Sequence, residues 1–156
     1  MVARSSAAPE PAEQVLVITR ILDAPPSLVF KVWTQPEHLA RWWGPEGFTL
    51  PSCRMDVRPG GVYRFRMRSA EGTDHWLRGV YREIVEPVRL VFTWAWEDSE
   101  GEPGRETLVT VTFAEDGGKT RLTMRQAVFE SMTARDAHQG GWASCLDRLA
   151  EYVAEA

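Results

Sequence analysis

The chain has 156 residues, of which 44% are hydrophobic and 26% are charged, and its net charge is -4. This composition is ordinary for one globular domain, and the small acidic excess argues against a nucleic-acid partner, which requires a dense basic face. The longest apolar runs are far shorter than the roughly 20 residues of a membrane-spanning helix, so no membrane partner is expected.

Residues 1–13 are rich in small residues and proline, and they are expected to be a disordered lead-in. They contain no apolar segment of the signal-peptide type. The two cysteines, Cys53 and Cys145, form no CxxC pair and are predicted to be buried free thiols in a reducing compartment. We therefore expect a cytoplasmic protein with a single domain over residues 14–156.

The first predicted elements are one strand and two short helices. Residues 15–22, VLVITRIL, form an apolar run rich in β-branched residues, which predicts a strand. Pro25 and Pro26 suit the first turn of a helix. The second helix ends with Trp42 and Trp43. We expect one of these two to pack on the core and the other to guard the mouth of a pocket, unless both are purely structural.

From residue 49 onward the hydrophobic period changes to two, which predicts antiparallel strands with one buried face. The expected strands cover residues 48–57, 62–68, 75–85, 89–96, 105–113 and 119–129. Residues 62–68 alternate strictly, so one face is predicted to carry Tyr63, Phe65 and Met67. The other face, with Arg64, Arg66 and Arg68, is expected to be solvated and paired with acidic side chains.

The chain closes with a predicted long helix from Thr133 to about residue 154. Thr133 and Asp136 have the spacing of a capping box, and the Gly140-Gly141 pair predicts a kink or the close approach of another backbone. Arg148 falls on the predicted solvent face. The predicted apolar face carries Ala137, Gly141, Trp142, Cys145, Leu149, Tyr152 and Val153.

This order of elements predicts an α+β fold with the long helix on one face of the sheet. Several segments match a known family in the same order: AP at 24–25 with VF at 29–30, LARWWGP at 39–45, Asp56 with PGG at 59–61, GVY at 79–81 with EI at 83–84, RLVFTW at 89–94, and GGW at 140–142 with LDRL at 146–149. The chain resembles the helix-grip fold of the START and Bet v 1-like superfamily. Its local signatures are similar to the C-terminal domain of the Hsp90 ATPase activator.

The resemblance implies a curved antiparallel sheet of about seven strands that wraps a long C-terminal helix, with two short helices after the first strand. It also implies an apolar cavity between sheet and helix. The first expected function is the binding or carriage of a small hydrophobic or aromatic molecule, without metal, cofactor or catalytic group. The expected ligand-binding residues are Trp42, Trp43, Phe65, Met67, Tyr81, Phe92, Trp94, Trp96, His138, Trp142 and Cys145. Related folds often pair, so a homodimer is among the expectations.

Two other functions stay open at this stage. An enzyme of the polyketide cyclase or hydrolase type would need titratable groups that converge in the cavity, and His138, Tyr81 and Glu83 are the candidates. His38 and His75 are expected at the surface, without the spacing of metal ligands. A co-chaperone-like interaction module, with a chaperone as its partner, follows from the resemblance alone.

Overall fold

The computed structural model describes residues 14–155, so the expectations for residues 1–13 lie outside the described part of the chain. Seven strands and three helices follow one another in the predicted order. They are β1 (Leu16–Leu22), α1 (Pro26–Thr34), α2 (Pro36–Leu39), β2 (Thr49–Met55), β3 (Val62–Arg68), β4 (Asp74–Val85), β5 (Arg89–Trp96), β6 (Thr107–Asp116), β7 (Lys119–Ala127) and α3 (Met132–Glu155).

The strands form one antiparallel sheet in the order β1-β7-β6-β5-β4-β3-β2. Because β2 to β7 are consecutive neighbours, each of these strands is joined to the next without a crossover. The first strand instead pairs with the last, from Leu16 opposite Gln126 to Leu22 opposite Thr120. The α+β helix-grip fold predicted from the sequence is confirmed.

The buried face of the sheet follows the period-two pattern of the sequence. In β3, Tyr63, Phe65 and Met67 are buried and take part in the core, as predicted. Their neighbours Arg64 and Arg68 lie on the outer face.

The three arginines of β3 pair with acidic side chains on the outer face, as expected. Arg64 makes a two-pronged contact with Glu97, both distances being 2.8 Å. Arg66 and Arg68 both lie within 4 Å of the Asp74 carboxylate. Within residues 14–155, none of the helices is long and apolar enough to cross a membrane.

The long helix α3 begins one residue earlier than predicted, and its cap is different. The Ser131 hydroxyl accepts the backbone N–H of Ala134 at 3.1 Å, so Ser131 is the N-cap and Thr133 lies inside the first turn. The prediction that Thr133 and Asp136 form a capping box is therefore wrong. The helix continues without a break through the Gly140-Gly141 pair. The predicted close approach of another backbone is not found at Gly141: a Cβ added there would lie 3.7 Å from the side chain of Pro45.

The prediction that Arg148 faces solvent is also wrong. Its guanidinium is half-buried, and Nη1 shares its two N–H groups among the carbonyl oxygens of Trp43, Gly44, Pro45 and Phe48, which lie 2.9–3.3 Å away. The Arg148 guanidinium thus holds the segment that follows α2 against α3. A helical-wheel pattern cannot show this contact, because the carbonyl partners lie about 100 residues earlier in the chain.

Candidate functional site

An apolar cavity of about 260 Å³ lies between the sheet and α3. Five parts of the chain contribute to its wall: the segment after α2, the end of β3, the start of β4, the end of β5, and residues 137–145 of α3. The residues that line it are Trp43, Gly44, Pro45, Phe48, Met67, His75, Trp94, Trp96, Ala137, His138, Gly141, Trp142 and Cys145. His75, Trp96 and Ala137 are exposed, so the cavity opens to the surface between them.

The inner wall is built from packed tryptophans. Trp43 stacks on Trp94 with ring centroids 5.7 Å apart and an interplanar angle of 28°. Trp142 from α3 meets Trp43 edge to face at 5.3 Å and lies 5.4 Å from Trp94. Each ring is less than a tenth exposed. Aromatic packing of this kind gives a rigid, flat-sided wall.

Trp142 is fixed in place by a buried chain of hydrogen bonds. Its indole N–H donates to the side-chain oxygen of Gln126 at 2.8 Å, and the amide nitrogen of Gln126 donates to the Thr107 hydroxyl at 2.8 Å. The Thr107 hydroxyl in turn lies 3.4 Å from the Trp94 carbonyl oxygen. Because Gln126 and Thr107 are both buried, this chain holds the Trp142 ring in one orientation.

Two other tryptophans of the wall have no such partner. Among the described residues, no acceptor lies within hydrogen-bond distance of the buried indole N–H groups of Trp43 and Trp94. A buried donor without a partner costs about 1–3 kcal/mol, so native proteins rarely leave one without a reason.

The mouth is closed on one side by a contact between β5 and α3. The indole N–H of Trp96 donates to Nε2 of His138 at 3.3 Å, and the imidazole also packs against Phe129 and Trp94. Burial lowers the pKa of His138 below its ordinary value of 6.5, although the negative charge of Glu130 acts in the opposite direction. The neutral imidazole is thus the favoured form, as its acceptor role toward Trp96 requires.

The segment after α2 is tied to α3 at three further points besides Arg148. The Glu46 backbone N–H donates to the Ser144 hydroxyl at 2.8 Å, and the Cys145 thiol lies 3.6 Å from the Trp42 carbonyl oxygen. The Pro45 ring lies against Gly141. Burial raises the pKa of the Cys145 thiol to about 12, which keeps it protonated at neutral pH. This wall is held by directional contacts and not by apolar packing alone.

The structure brings seven of the eleven predicted ligand-binding residues together in the cavity wall: Trp43, Met67, Trp94, Trp96, His138, Trp142 and Cys145. The other four do not line it. Trp42 is fully buried and donates to the Val32 carbonyl oxygen at 3.1 Å. Phe65, Tyr81 and Phe92 border a second, nearly filled gap of about 10 Å³ deeper in the core.

One of the two adjacent tryptophans, Trp42, lies where it was expected, and the other does not lie at the mouth. Trp42 packs in the core, as expected for one of the pair, whereas Trp43 forms the inner wall and not the mouth. The residue at the mouth is Trp96, whose exposed fraction is 38%. The sequence pattern could not separate these roles, since the direction of each ring depends on how the segment after α2 packs on α3.

The candidate residues for acid–base chemistry do not converge. His138 lies at the cavity mouth, Tyr81 lies deep in the core, and Glu83 is exposed on the sheet surface, where it pairs with Arg89 at 2.6 Å. Burial raises the pKa of Tyr81 further above its ordinary value of 10.0. Within residues 14–155, no three His, Cys, Asp or Glu side chains are grouped so that they could hold a metal ion.

Sequence reasoning missed several contributors to the site. Pro45, Phe48 and His75 line the cavity, although the sequence places them in a turn, at a strand start and at the surface. His75 is exposed as expected, yet its ring packs 6.3 Å from Trp96. Gln126 did carry a signal, because it is a polar residue at an inward position of β7, after Leu122 and Met124.

The chain is similar to a known protein family and to several solved structures. A family model described as Activator of Hsp90 ATPase homolog 1-like protein matches residues 23–154. Among curated proteins, no relative matches the sequence.

Solved bacterial structures are similar over nearly the whole chain. A protein from Chromobacterium violaceum is 28% identical, with a TM-score of 0.80 over 90% of this chain and 96% of its own. The AHSA1 protein of Silicibacter pomeroyi is 27% identical, with a TM-score of 0.81 over 90% and 97% of the two chains. A protein from Nitrosomonas europaea is 25% identical, with a TM-score of 0.78 over 93% and 97%.

Proposed function

The chain belongs to the family of Activator of Hsp90 ATPase homolog 1-like proteins, in the START and Bet v 1-like superfamily, and from that premise we propose that it binds one small, largely apolar molecule in the cavity between the sheet and α3. A fold of this superfamily suggests a ligand-binding domain, but a fold does not name a ligand. The proposal therefore depends on the cavity itself.

The observation that carries the proposal is an open, tryptophan-lined cavity in an otherwise close-packed core. Protein interiors normally fill such space, and the gap deeper in the core, beside Phe65 and Phe92, measures only about 10 Å³. At about 260 Å³ the cavity lies near the lower end of ligand pockets, which span roughly 300–1,000 Å³. It suits a molecule of one or two rings.

The driving force for binding would be the removal of apolar ligand surface from water. Burial of roughly 200 Å² at about 25 cal/mol per Å² gives about 5 kcal/mol before the entropy of association is subtracted. The flat, stacked rings of Trp43 and Trp94 favour a planar ligand. Because a millimolar dissociation constant corresponds to about 4 kcal/mol, simple aromatic probes are expected to bind weakly, with dissociation constants in the submillimolar to millimolar range.

The test uses a pair of glycines in α3 that differ in what surrounds them. Gly141 lines the cavity, whereas an added Cβ at Gly140 meets no atom within 4 Å. A leucine side chain at position 141 would occupy cavity space, and the same side chain at position 140 would project away from any contact. We expect Gly141→Leu to weaken binding of 2-isopropenylnaphthalene at least tenfold, and Gly140→Leu to leave it unchanged.

Binding is measured by saturable quenching of tryptophan fluorescence, with circular dichroism to show that both variants are folded. Native mass spectrometry of the freshly purified protein, against its denatured mass, would reveal a retained ligand and its chemical class. The proposal is wrong if neither the wild type nor the Gly140→Leu variant binds two-ring probes, or if the two leucine variants bind them equally well.

A further inference from the structure

The open cavity and the nearly filled gap deeper in the core are neighbours, and one side chain lies between them. Of the described residues, Trp43 alone lines both spaces. Its ring packs edge to face on Phe65, which borders the deep gap, with centroids 5.2 Å apart. It also contacts Trp94 and Trp142, which line the open cavity. The Trp43 ring is therefore a partition between the two spaces.

The two spaces follow one another along the same strands. In β3, Phe65 borders the deep gap and Met67 the open cavity, and in β5 the same holds for Phe92 and Trp94. Residues two apart in a strand point to the same face and lie about 7 Å apart. The gap and the cavity are thus successive stretches of one inner sheet face, interrupted by Trp43.

The backbone of Trp43 is fixed, whereas its side chain is held by packing alone. The backbone N–H donates to the Leu39 carbonyl oxygen at 3.0 Å, and the Trp43 carbonyl oxygen accepts from Arg148. The indole N–H has no acceptor among residues 14–155, and the residue is 3% exposed. Trp142, in contrast, is tied to Gln126. A smaller apolar side chain at position 43 would break no hydrogen bond and would leave the backbone contacts in place.

We infer that Trp43 sets the size limit of the ligand, because its ring closes the inner end of the cavity and confines the cavity to compact molecules without long apolar chains. The inference rests on the proposed function and adds the residue that determines specificity. Without the indole ring, the space that it fills would join the gap of about 10 Å³ to the cavity of about 260 Å³. The enlarged space would suit an alkyl chain, since Phe65, Leu90 and Phe92 border its inner end.

A series of 2-alkylnaphthalenes, from methyl to pentyl, measures the space at the inner end of the cavity. In the wild type the affinity should level off after the ethyl compound, because a longer chain meets Trp43 or stays in the open mouth. In Trp43→Leu each further carbon can be buried, which raises affinity about threefold to fourfold. We expect the pentyl compound to bind this variant at least about tenfold more tightly than the ethyl compound, against less than about twofold in the wild type.

Trp33→Leu is the matched control. Trp33 is equally buried, has an indole N–H without an acceptor within residues 14–155, and borders the deep gap but not the open cavity. The substitution removes the same volume while Trp43 stays in place, so the affinity should level off as in the wild type. Trp43→Phe removes less volume and should give a rise between those of the wild type and Trp43→Leu.

Affinities are measured by tryptophan fluorescence titration, with circular dichroism to show that each variant is folded. The position of the alkyl chain is read by NMR. Nuclear Overhauser contacts between the terminal methyl group of the pentyl compound and the ring of Tyr81 or Phe92, which border the deep gap, should be seen in Trp43→Leu and not in the wild type.

The outcomes separate this inference from the proposed function. If the naphthalenes bind but no folded Trp43 variant has a steeper dependence on chain length than the wild type, the cavity binds ligands and Trp43 does not limit their size. The same conclusion follows if Trp33→Leu gains as much as Trp43→Leu, or if the wild type already gains affinity with every added carbon. If no compound of the series binds to the wild type, the proposed function fails and the inference fails with it.

Discussion

Arg148 shows how one side chain can organise the wall of a cavity that it does not line. Its guanidinium donates to four carbonyl oxygens of the segment after α2, and Nη2 lies 3.5 Å from a fifth, that of Arg41. Within residues 14–155, no carboxylate forms an ion pair with it. Its charge is balanced by backbone carbonyl dipoles, so it holds the position of Trp43 and Pro45 without a carboxylate partner.

Replacement of Arg148 by methionine should therefore destabilise the fold strongly. Methionine keeps much of the apolar volume but leaves several partly buried carbonyl oxygens without a donor, and we expect a loss of about 2–4 kcal/mol in the free energy of unfolding. Chemical denaturation measures it. Arg135→Met is the control on the same helix, because Arg135 pairs with the exposed Asp136, and it should change stability by less than about 0.5 kcal/mol. Equal effects of the two substitutions would contradict this role for Arg148.

Among the elements, α3 contributes five of the thirteen residues that line the cavity, and its two adjacent glycines have different surroundings. Gly141 faces the cavity and Pro45, which leaves space for a ligand. Gly140 is exposed and meets nothing. The pair is thus not a hinge in this structure, and only one of the two glycines has a role in the shape of the cavity.

Gly140→Ala should accordingly stabilise the protein by up to about 1 kcal/mol, because alanine loses less backbone entropy than glycine in a helix and no contact opposes it. The measurement is the midpoint of chemical denaturation. Gly79→Ala, in β4, is the contrasting substitution: its Cβ would lie 1.9 Å from the Thr93 carbonyl oxygen and 2.5 Å from the Tyr63 ring. That variant should be strongly destabilised. A loss of stability in Gly140→Ala would mean that the glycine is required for the course of the helix.

For the whole molecule, the titratable groups with shifted pKa values predict how stability varies with pH. The lowered pKa of His138 means that the unfolded chain takes up a proton first as the pH falls below 6.5, so stability declines there by at most about 1.4 kcal/mol for each pH unit. Arg64 beside Glu97 lowers the pKa of that carboxyl, and Arg68 does the same for Asp74, so a second decline should follow as the pH falls below 4.5.

At alkaline pH the relevant pKa values are raised and not lowered, and the fold again loses stability as the pH moves away from neutral. Burial raises the pKa of Cys53 to about 11 and that of Cys145 to about 12, so the unfolded chain loses these protons first once the pH exceeds 9.0. Stability should therefore be greatest between about pH 7 and pH 9, which denaturation at a series of pH values measures. His138→Phe should remove the decline between pH 7 and pH 5. Persistence of that decline in the variant would assign it to another group.

Several whole-molecule expectations concern partners and location, and they stay predictions: a homodimer, a chaperone partner, the absence of nucleic-acid and membrane partners, and a cytoplasmic location. Each depends on surfaces or segments that act between molecules. The cavity, in contrast, is formed within one chain, which is why its residues and contacts carry the proposals made above.

The sequence by itself determined the class, order and inward faces of the elements. Period-two alternation in β3 and the apolar stripe of α3 are local patterns, and they placed Tyr63, Phe65 and Met67 and most of the helix face correctly, with Arg148 as the exception. The matched segments from residue 24 to residue 149 added the helix-grip topology. Seven of the eleven predicted site residues then fell in the cavity wall because inward-facing aromatics near the ends of β3, β5 and α3 have few other places to lie.

Only the tertiary structure decided which aromatics fill the core and which leave a space. Trp42 and Trp43 are neighbours in sequence, yet one donates to Val32 in the core and the other forms the cavity wall. That choice depends on the segment after α2, which Arg148 holds from about 100 residues away. The free indole donors of Trp43 and Trp94 are likewise invisible in the sequence, because hydrogen-bond satisfaction depends on distances between elements and not on spacing within them.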